Sequence, residues 1–283
     1  MAAIPMGKLK GIVLLLRPKN AILASIGALV GWLSAKIPLY PMDRLIICLL
    51  VPPLILMGGN AINDFFDVEI DRINRPYRPI PSGLVSRNEA ALLYLSLSAA
   101  GTLLSYFISI VHFAIALFFS VAWYLYGLRL KKEGLIGNIL VSLGVSFTII
   151  YGGLFSLSQK VIMYSIIAFL VNLAREITKG VEDIDGDRAA GVRTIAATRG
   201  ERAAGIAISI TCLSAILFTY IPFILGLSGF IYLILSTLAV IILIYSAFIS
   251  WNISKSTASR ASTLIKASML FGLLAMLLDS ATL

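Results

Sequence analysis

Residues 44–66 read Arg44-Leu-Ile-Ile-Cys-Leu-Leu-Val-Pro-Pro-Leu-Ile-Leu-Met-Gly-Gly-Asn-Ala-Ile-Asn-Asp-Phe-Phe66, an almost uninterrupted apolar run. A helix needs about 20 such residues to cross the ~30 Å hydrocarbon core of a bilayer. Polar side chains gather only at the carboxyl end of the run, at Asn60, Asn63 and Asp64. Lipid admits only helices or closed barrels, and the run does not alternate as a barrel strand would. A transmembrane helix that ends in polar residues is therefore predicted.

The composition extends this interpretation to the whole chain. Of 283 residues, 59% are hydrophobic and 13% are charged, against roughly 25% charged in soluble domains. We predict an all-α, polytopic membrane protein, one domain over residues 1–283, without a cleavable signal peptide. The predicted spans are 12–35, 44–66, 90–110, 112–130, 136–156, 161–181, 203–222, 228–250 and 262–280. The sequence leaves the oligomeric state open.

The distribution of basic residues predicts the orientation in the membrane. With the N-terminus in the cytoplasm, every Lys and Arg except Lys36, Arg44 and Lys160 falls on or near the cytoplasmic side. This positive-inside bias predicts a multi-pass protein of the cell membrane whose N-terminus and long hydrophilic loops, about 67–89 and 182–202, lie in the cytoplasm. The net charge of +9 belongs to short flanks of membrane spans, where anionic lipid attracts it. Nucleic-acid binding is therefore not predicted.

Two long hydrophilic stretches, about 67–89 and 182–202, interrupt the apolar pattern. They follow the second and sixth predicted spans, and both begin with acidic residues at a helix end. This recurrence suggests a weak internal repeat with two related halves. Because the other predicted loops are short, we predict that these two long loops carry the functional residues.

The first acidic cluster has Asn63, Asp67 and Asp71 at intervals of four residues. Residues at this spacing share one face of a helix, and Asn60 and Asp64 extend that face. Carboxylates placed together near a membrane repel one another unless a cation compensates. Mg²⁺ prefers oxygen ligands and takes one or two protein carboxylates together with phosphate oxygens. The alternative is an acidic helix end neutralised by the nearby arginines Arg72, Arg75 and Arg78.

The second acidic cluster has Asp183 and Asp187 four residues apart, one and two turns after Lys179. Arg175 lies one turn before Lys179, so two cations and two carboxylates form one stripe. A diphosphate bridged by metal ions needs both kinds of group: carboxylates for the metal, and cations for the remaining phosphate charge. Two such clusters on one membrane side are a much stronger signal than one.

Polar residues outside the two acidic clusters are open to a structural interpretation as well as a functional one. Arg17 and Asn20 open the first span, and Tyr126 and Lys131 close the fourth. These side chains reach phosphate oxygens in one interpretation and anchor helix ends at the membrane surface in the other. We interpret the buried-type cysteines and the single histidine as structural; they are Cys48, Cys212 and His112.

At these residues the chain resembles the UbiA superfamily of intramembrane prenyltransferases. The resemblance covers nearly the whole length, and its aspartate motifs are highly specific. It implies nine transmembrane helices around a central cavity, with the two aspartate motifs facing each other beneath cytoplasmic cap loops. The motifs are Arg17-Pro-Lys-Asn20, Asn63-Asp64-x-x-Asp67-x-x-x-Asp71, Arg78-Pro-Ile-Pro-Ser-Gly83, Tyr126-x-x-x-Leu-Lys131, Gly137-Asn138 and Glu182-Asp-Ile-Asp-Gly-Asp187.

Within the superfamily, three stretches resemble the archaeal digeranylgeranylglyceryl phosphate synthases. They are Gly59-Asn60-x-Ile62-Asn63-Asp64, Gly137-Asn138-Ile-Leu-Val with Tyr151-Gly152-Gly153, and Arg175-Glu176-Ile-x-Lys179-x-x-Glu182-Asp183. Gly180 departs from the pattern, which has an aspartate there, and we leave it out of the ligand set. Chlorophyll synthases and homogentisate prenyltransferases share much of residues 71–83, so an aromatic or chlorin acceptor is the alternative.

The resemblance implies Mg²⁺-dependent transfer of a geranylgeranyl group from geranylgeranyl diphosphate to a lipidic glycerophosphate, geranylgeranylglyceryl phosphate. The implied catalytic residues are Asn63, Asp67, Asp71, Lys131, Asp183 and Asp187, and all of these except Lys131 are implied Mg²⁺ ligands. The implied substrate-binding residues are Asn20, Asn60, Asp64, Arg75, Arg78, Tyr126 and Lys179. A transporter is less favoured, because spans 203–222 and 228–250 contain no Asp, Glu, Lys or Arg to form an ion pathway.

Overall fold

The computed structural model describes residues 6–39 and 42–282, which form α-helices and turns and no β-strand. The predicted all-α fold class is confirmed. One short 3₁₀ helix (Leu130–Glu133) joins the α-helices. These are α1 (Met6–Leu16), α2 (Pro18–Ser34), α3 (Met42–Phe66), α4 (Val68–Asn74), α5 (Arg87–Tyr106), α6 (Ile110–Leu128), α7 (Leu135–Gly153), α8 (Gln159–Glu182), α9 (Ile184–Ala189), α10 (Ile195–Ile224), α11 (Phe230–Trp251) and α12 (Lys255–Thr282).

Eight segments of the described residues are long and apolar enough to cross a membrane. α1 and α2 together form one of these segments, and α3, α6, α7, α8, α10, α11 and α12 are the others. α5 corresponds to the third predicted span. Its 20 residues reach about 30 Å at about 1.5 Å per residue, but its polar first turn and its serines make it less apolar. The chain is thus a polytopic helical membrane protein.

The turn between the third and fourth predicted spans lies earlier than the sequence suggested. α5 ends at Tyr106 and α6 begins at Ile110, whereas the predicted boundary was near residue 111. Ser109 sets this boundary because its side chain accepts a hydrogen bond from the backbone N–H of His112. The same hydroxyl lies 2.7 Å from His112 Nδ1. The buried histidine therefore completes a helix cap.

Both hydrophilic stretches contain regular structure. α4 lies inside the stretch 67–89, and α9 lies inside the stretch 182–202. The second stretch also contains the start of α10, which is interrupted at Gly200, where φ is +86°. Only glycine adopts such a backbone conformation readily. The acidic clusters therefore lie on helices rather than on irregular loops.

By its internal contacts the chain forms two compact units. The first, unit 1, comprises residues up to Ser25 and residues 38–130. The second, unit 2, comprises residues 26–37 and the chain from Lys131 onward. The first acidic cluster belongs to unit 1 and the second to unit 2. The extent of a single domain over residues 1–283 stays a prediction.

In unit 1, α3 packs against α5 and α6. Two glycines bring α3 and α6 close together near the acidic end of α3. A Cβ atom on Gly59 would lie 2.8 Å from Cγ of Trp123, and one on Gly127 would lie 2.6 Å from Cδ2 of Phe66. Any larger residue would push the helices apart, so this packing fixes the position of the helix end that carries the acidic cluster.

In unit 2, α8 packs against α7, α10 and α12. A buried ion pair holds its amino-terminal end, where Lys160 Nζ lies 2.6 Å from Asp279 Oδ2 on α12. The carboxylate also accepts 2.7 Å hydrogen bonds from the hydroxyl of Tyr164 and the backbone N–H of Gly229. The two residues of the pair are at most 8% exposed in their side chains. A buried charge with this many partners holds α8, α11 and α12 together, at the end of α8 opposite Asp183.

Candidate active site

The first acidic cluster lies where α3 passes into α4. Asp67 separates the two helices with φ −83° and ψ 0°, yet the backbone hydrogen bonds of a helix continue across it. The N–H of Asp67 donates to the carbonyl of Asn63 over 3.0 Å, and the N–H of Asp71 donates to the carbonyl of Asp67 over 2.8 Å. The spacing of four residues therefore keeps Asn63, Asp67 and Asp71 at successive turns, as the sequence predicted.

Asn63 has the features of a cation ligand. Its Nδ2 atom donates a 2.9 Å hydrogen bond to Oδ2 of Asp67, which leaves its carbonyl oxygen available. Among the described residues, this Oδ1 atom is buried and finds no hydrogen-bond partner. A buried acceptor without a donor is costly. Together with the buried carboxylates of Asp67 and Asp71, it forms a set of oxygen ligands that fits Mg²⁺.

Asp64 has a different environment, because arginines surround it. Nη2 of Arg17 lies 2.5 Å from Oδ1 of Asp64, and Nη1 of Arg78 lies 3.4 Å from the same atom. Nη1 of Arg17 also donates to Oδ1 of Asn60 over 3.0 Å, and Nη1 of Arg78 to Oδ2 of Asp71 over 2.6 Å. Asp64 therefore holds two arginines from distant parts of unit 1 at the acidic cluster.

Electrostatics in unit 1 follow from this burial. Burial raises the pKa of Asp71, the charge and hydrogen bond of Arg78 lower it, and the neighbouring carboxylates Asp67 and Asp64 raise it further; the net result is a raised pKa. Burial also lowers the pKa of Arg78, but Asp64 and Asp71 outweigh this effect and raise it. Burial and the neighbouring carboxylates thus disfavour the ionised form of Asp71, and a divalent ion bound beside it would favour that form.

The second acidic cluster repeats the backbone arrangement of the first. Asp183 separates α8 from α9 with φ −97° and ψ 14°. Its N–H donates to the carbonyl of Lys179 over 2.9 Å, and the N–H of Asp187 donates to the carbonyl of Asp183 over 2.8 Å. A long helix, an aspartate at the break and an aspartate one turn later therefore occur in both units. This local repetition agrees with the internal repeat suggested by the sequence.

Asp187 is partly buried beside a like charge. Burial is the largest influence on its carboxyl group, followed by the charge of Asp183, and together they raise its pKa to about 6. The ammonium groups of Lys131 and Lys179 and a hydrogen bond with Thr194 act in the opposite direction. A cation bound beside this carboxyl group would favour its ionised form, which burial and Asp183 disfavour.

Gly180 packs directly against Thr194. A Cβ atom at Gly180 would lie 3.2 Å from Cβ and 3.3 Å from Cγ2 of that threonine. Thr194 in turn caps α10 by accepting a hydrogen bond from the N–H of Ala197. An aspartate at position 180 would force Thr194 to move. Close packing against Thr194 therefore accounts for a glycine at position 180, where the family pattern has an aspartate.

The model of the UbiA prenyltransferase family matches residues 22–273. The chain belongs to the UbiA prenyltransferase family. The resemblance drawn from the aspartate motifs is thereby confirmed, and so is the interpretation of the chain as a prenyltransferase.

Several relatives within this family are archaeal. The chain is 48% identical to the digeranylgeranylglyceryl phosphate synthase of Korarchaeum cryptofilum over 278 residues, covering 97% of the chain and 98% of that protein. It is 38% identical to that of Saccharolobus solfataricus over 280 residues, covering 96% and 97%. A solved structure of digeranylgeranylglyceryl phosphate synthase has a TM-score of 0.80 with 33% identity, covering 98% of the chain and 100% of its own.

A more distant member of the UbiA family has been solved with ligands. The UbiA homolog from Archaeoglobus fulgidus bound to DMAPP and Mg²⁺ has a TM-score of 0.70 with 18% identity, covering 94% of the chain and 99% of its own. At this identity the likeness shows the shared fold. It also shows that a protein of this fold binds a prenyl diphosphate together with Mg²⁺.

The remaining residues implied by the UbiA resemblance lie in less enclosed places. Arg75 is half-buried after α4, and its N–H donates to the carbonyl of Asp71 over 2.8 Å. Tyr126 is half-buried on α6, edge-on to Trp123. Asn20 is exposed in the first turn of α2. The ligand and substrate roles of these three residues stay predictions.

Two charged residues of the site were missing from the predicted set. Arg17, for which the sequence left phosphate binding and membrane anchoring both open, is an ion-pair partner of Asp64. Glu176 is buried between Arg175 and Lys179, and its position one turn before Lys179 was the signal available in the sequence. Within the part of the chain that the structure describes, no three His, Cys, Asp or Glu side chains form a closed metal cluster.

Proposed function

We propose that this UbiA prenyltransferase transfers a geranylgeranyl group from geranylgeranyl diphosphate to a hydroxyl group of geranylgeranylglyceryl phosphate and releases diphosphate. Relatives between 36% and 48% identical that align over most of their length carry the name digeranylgeranylglyceryl phosphate synthase. The observation that carries the proposal is the buried, unpartnered carbonyl oxygen of Asn63 beside Asp67. It indicates that this helix end is built to receive a cation.

The proposed Mg²⁺ ligands are the side chains that the acidic clusters present. In unit 1 they are Asn63, Asp67 and Asp71; in unit 2 they are Asp183 and Asp187. When bound, Mg²⁺ would neutralise the charge that develops on the leaving diphosphate. The sequence-based prediction that both clusters serve one diphosphate is part of this proposal, and the aspartate variants described below test each cluster separately.

The cationic side chains supply the rest of the charge. Lys131 and Lys179 act on Asp187 electrostatically and are proposed to bind phosphate oxygens of the donor. Arg78 uses Nη1 for both of its carboxylate contacts, and a guanidinium carries five N–H donors in all. We therefore propose that Arg78 fixes the 75–83 segment and also donates to the diphosphate.

The chemistry requires the bond between C1 of the prenyl group and the diphosphate oxygen to break. C1 becomes cation-like, a glycerol hydroxyl group forms the new C–O bond, and its proton is lost to the medium. Positive groups around the diphosphate favour this step because they are already oriented towards the developing charge. Water would quench an allylic cation, so an apolar environment for the prenyl chain protects the reaction.

The proposed location is the cell membrane, with the N-terminus and both acidic clusters on the cytoplasmic side. The two native cysteines, Cys48 and Cys212, are fully buried. Single cysteines introduced at exposed Lys10 and exposed Asp185 should therefore react with a membrane-impermeant thiol reagent only when it reaches the cytoplasmic side. Labelling of intact cells from outside at either position would reverse the proposed orientation.

The direct test is an incubation of purified protein with labelled geranylgeranyl diphosphate, Mg²⁺ and single acceptors. We expect a product with geranylgeranylglyceryl phosphate and none with aromatic or chlorin acceptors. Product formation with an aromatic acceptor alone would overturn the proposed acceptor but leave the prenyltransferase in place. Absence of transfer to every acceptor, with diphosphate release also absent, would contradict the function itself.

A further inference from the structure

Glu176 is a buried carboxylate to which the proposed chemistry assigns no part. It lies on α8, two turns before Asp183, and is 6% exposed. Its two oxygens contact different cations: Oε1 lies 2.7 Å from Nη1 of Arg175, and Oε2 lies 3.3 Å from Nζ of Lys179. The ammonium of Lys131 also acts on it electrostatically. One buried anion therefore faces three cations of unit 2.

The cations are more exposed than the anion. The side chain of Lys179 is 38% exposed and that of Arg175 is 25% exposed, whereas that of Glu176 is 6% exposed. Because Glu176 is buried and negatively charged, it is not suited to bind a diphosphate itself. It can, however, restrain the direction of the flexible Lys179 side chain, which has many rotamers when unrestrained.

We propose that Glu176 is a positioning residue that holds Lys179 and Arg175 in the orientation that binds the diphosphate of the prenyl donor. This inference rests on the proposed function, because it assigns Lys179 to the donor diphosphate. Glu176 lowers the repulsion among the cations before the substrate arrives, and the side chains of Arg175 and Lys179 remain partly exposed. The diphosphate then binds to cations that are already oriented.

Asp64 makes similar contacts in unit 1. There too a buried carboxylate, 3% exposed, contacts two cations and lies one turn from residues proposed to bind the metal. The cations of Asp64 come from other segments of the chain, whereas those of Glu176 lie on its own helix. Each unit therefore contains a buried carboxylate that contacts two cations, in addition to the carboxylates that are proposed to bind metal.

The experiment compares Glu176→Gln with the wild type, using Mg²⁺ and inorganic pyrophosphate as the binding probe. Glutamine keeps the shape of the side chain and removes its charge. We expect pyrophosphate affinity and kcat/KM for geranylgeranyl diphosphate to fall about tenfold, since contacts between charged groups contribute at that level. Glu201→Gln changes a carboxylate of the same unit that lies outside the aspartate motifs and accepts a hydrogen bond from the backbone N–H of Lys255, and as the control it should leave both values unchanged.

A double-mutant cycle separates positioning from general stability. If Glu176 acts through Lys179, Glu176→Gln should cost little further pyrophosphate affinity in a Lys179→Gln background. An equal loss in both backgrounds would overturn the proposal. If Glu176→Gln does not fold, the pair Arg175→Gln with Glu176→Gln removes both charges together, and wild-type pyrophosphate affinity in that protein would also overturn it.

The result also distinguishes this inference from the proposed function. Pyrophosphate binding to the wild-type protein does not depend on which acceptor the enzyme uses. If the wild type binds pyrophosphate with Mg²⁺ but transfers no prenyl group, the proposed function fails and the role of Glu176 is still measured. If transfer occurs and Glu176→Gln matches the wild type in every assay, the role of Glu176 fails alone.

Discussion

Nη2 of Arg17 donates a 2.5 Å hydrogen bond to the carboxylate of Asp64, and this contact joins the turn between α1 and α2 to the acidic end of α3. Arg17 adopts a positive φ of +52°, which is uncommon for a residue with a side chain. Pro18 begins α2 directly after it, at the first helical position that suits proline. Arg17 therefore lies at the interruption between α1 and α2, and its strained backbone conformation places its side chain against Asp64.

We expect Arg17→Ala to lower kcat/KM about tenfold or more and to destabilise the protein by about 1–3 kcal/mol, because Asp64 loses a charged partner while buried. Arg17→Lys should recover only part of this, since a single ammonium group cannot contact Asn60 and Asp64 as the guanidinium does. Steady-state kinetics and thermal unfolding in detergent measure both effects. Lys19→Ala, an exposed cation two residues away, is the matched control; equal behaviour of the two alanine variants would refute the role of Arg17.

The proposed metal ligands make a second prediction. Asp67→Ala and Asp183→Ala should each reduce turnover at least ~100-fold, because charge stabilisation at the leaving group is among the largest contributions to catalysis. Both variants should remain folded in detergent, since each removes a carboxylate from a site of mutual repulsion. Glu69→Gln changes an exposed carboxylate of the same segment that pairs with Arg72, and it should keep full turnover. Near wild-type activity in either alanine variant would remove that cluster from the metal site.

Sequence periodicity predicted the helices and the position of both acidic clusters well, for a physical reason. Long apolar runs are stable in lipid as helices, and residues spaced four apart on a helix lie on the same face. The partners of individual charges were harder to predict. Asp64 and Glu176 look like additional members of acidic clusters in the sequence, but in the structure they contact cations.

The difference arises because ion pairing depends on tertiary contacts. Arg17 and Asp64 are 47 residues apart in the chain, and no local pattern specifies that they meet. The turn between α5 and α6 lies a few residues earlier than predicted for a different, local reason: the side chain of Ser109 caps α6, although the apolar run continues past it. The close packing of Gly180 on Thr194 was likewise outside the reach of sequence periodicity.

A third prediction concerns pH. Because the pKa of Asp187 is raised from 3.8 to about 6, the folded protein holds more protons there than the unfolded chain between pH 4 and pH 6. The free energy of unfolding should therefore fall as the pH rises through that range, and the cost should persist above pH 6. Asp187→Asn removes the ionisable group and therefore the loss in the free energy of unfolding that its ionisation causes. With a chelator present, it should raise the melting temperature relative to wild type at pH 7 but not at pH 4.

Mg²⁺ provides the complementary measurement. If it binds the ionised carboxylate of Asp187, it should raise the melting temperature of the wild type more at pH 7 than at pH 5, and enzymatic activity should decline as the pH falls below about 6. Asp187→Asn should show a smaller stabilisation by Mg²⁺ at pH 7. A stabilisation by Mg²⁺ that is the same at both pH values would contradict this assignment.

A fourth prediction addresses the buried ion pair at the other end of α8. Lys160→Met leaves the fully buried carboxylate of Asp279 without its cation and should cost about 3–5 kcal/mol. The double variant Lys160→Met with Asp279→Asn should recover part of that loss, because no buried charge then remains. Thermal unfolding measures stability, and kcat per folded molecule should stay unchanged. A loss of kcat without a loss of stability would mean that the pair serves catalysis instead.

The last prediction concerns Gly180 and Thr194. Gly180→Ala favours the helix by up to about 1 kcal/mol, but the new Cβ would lie 3.2 Å from Cβ of Thr194 and must displace it by a few tenths of an ångström. Because Thr194 hydrogen-bonds Asp187 and caps α10, we expect stability to change little and kcat/KM to fall severalfold. Thr194→Ser removes the Cγ2 methyl group that also crowds position 180 and keeps the hydroxyl. Adding it to Gly180→Ala should restore part of the activity, and no restoration would mean that the two residues are not coupled through this contact.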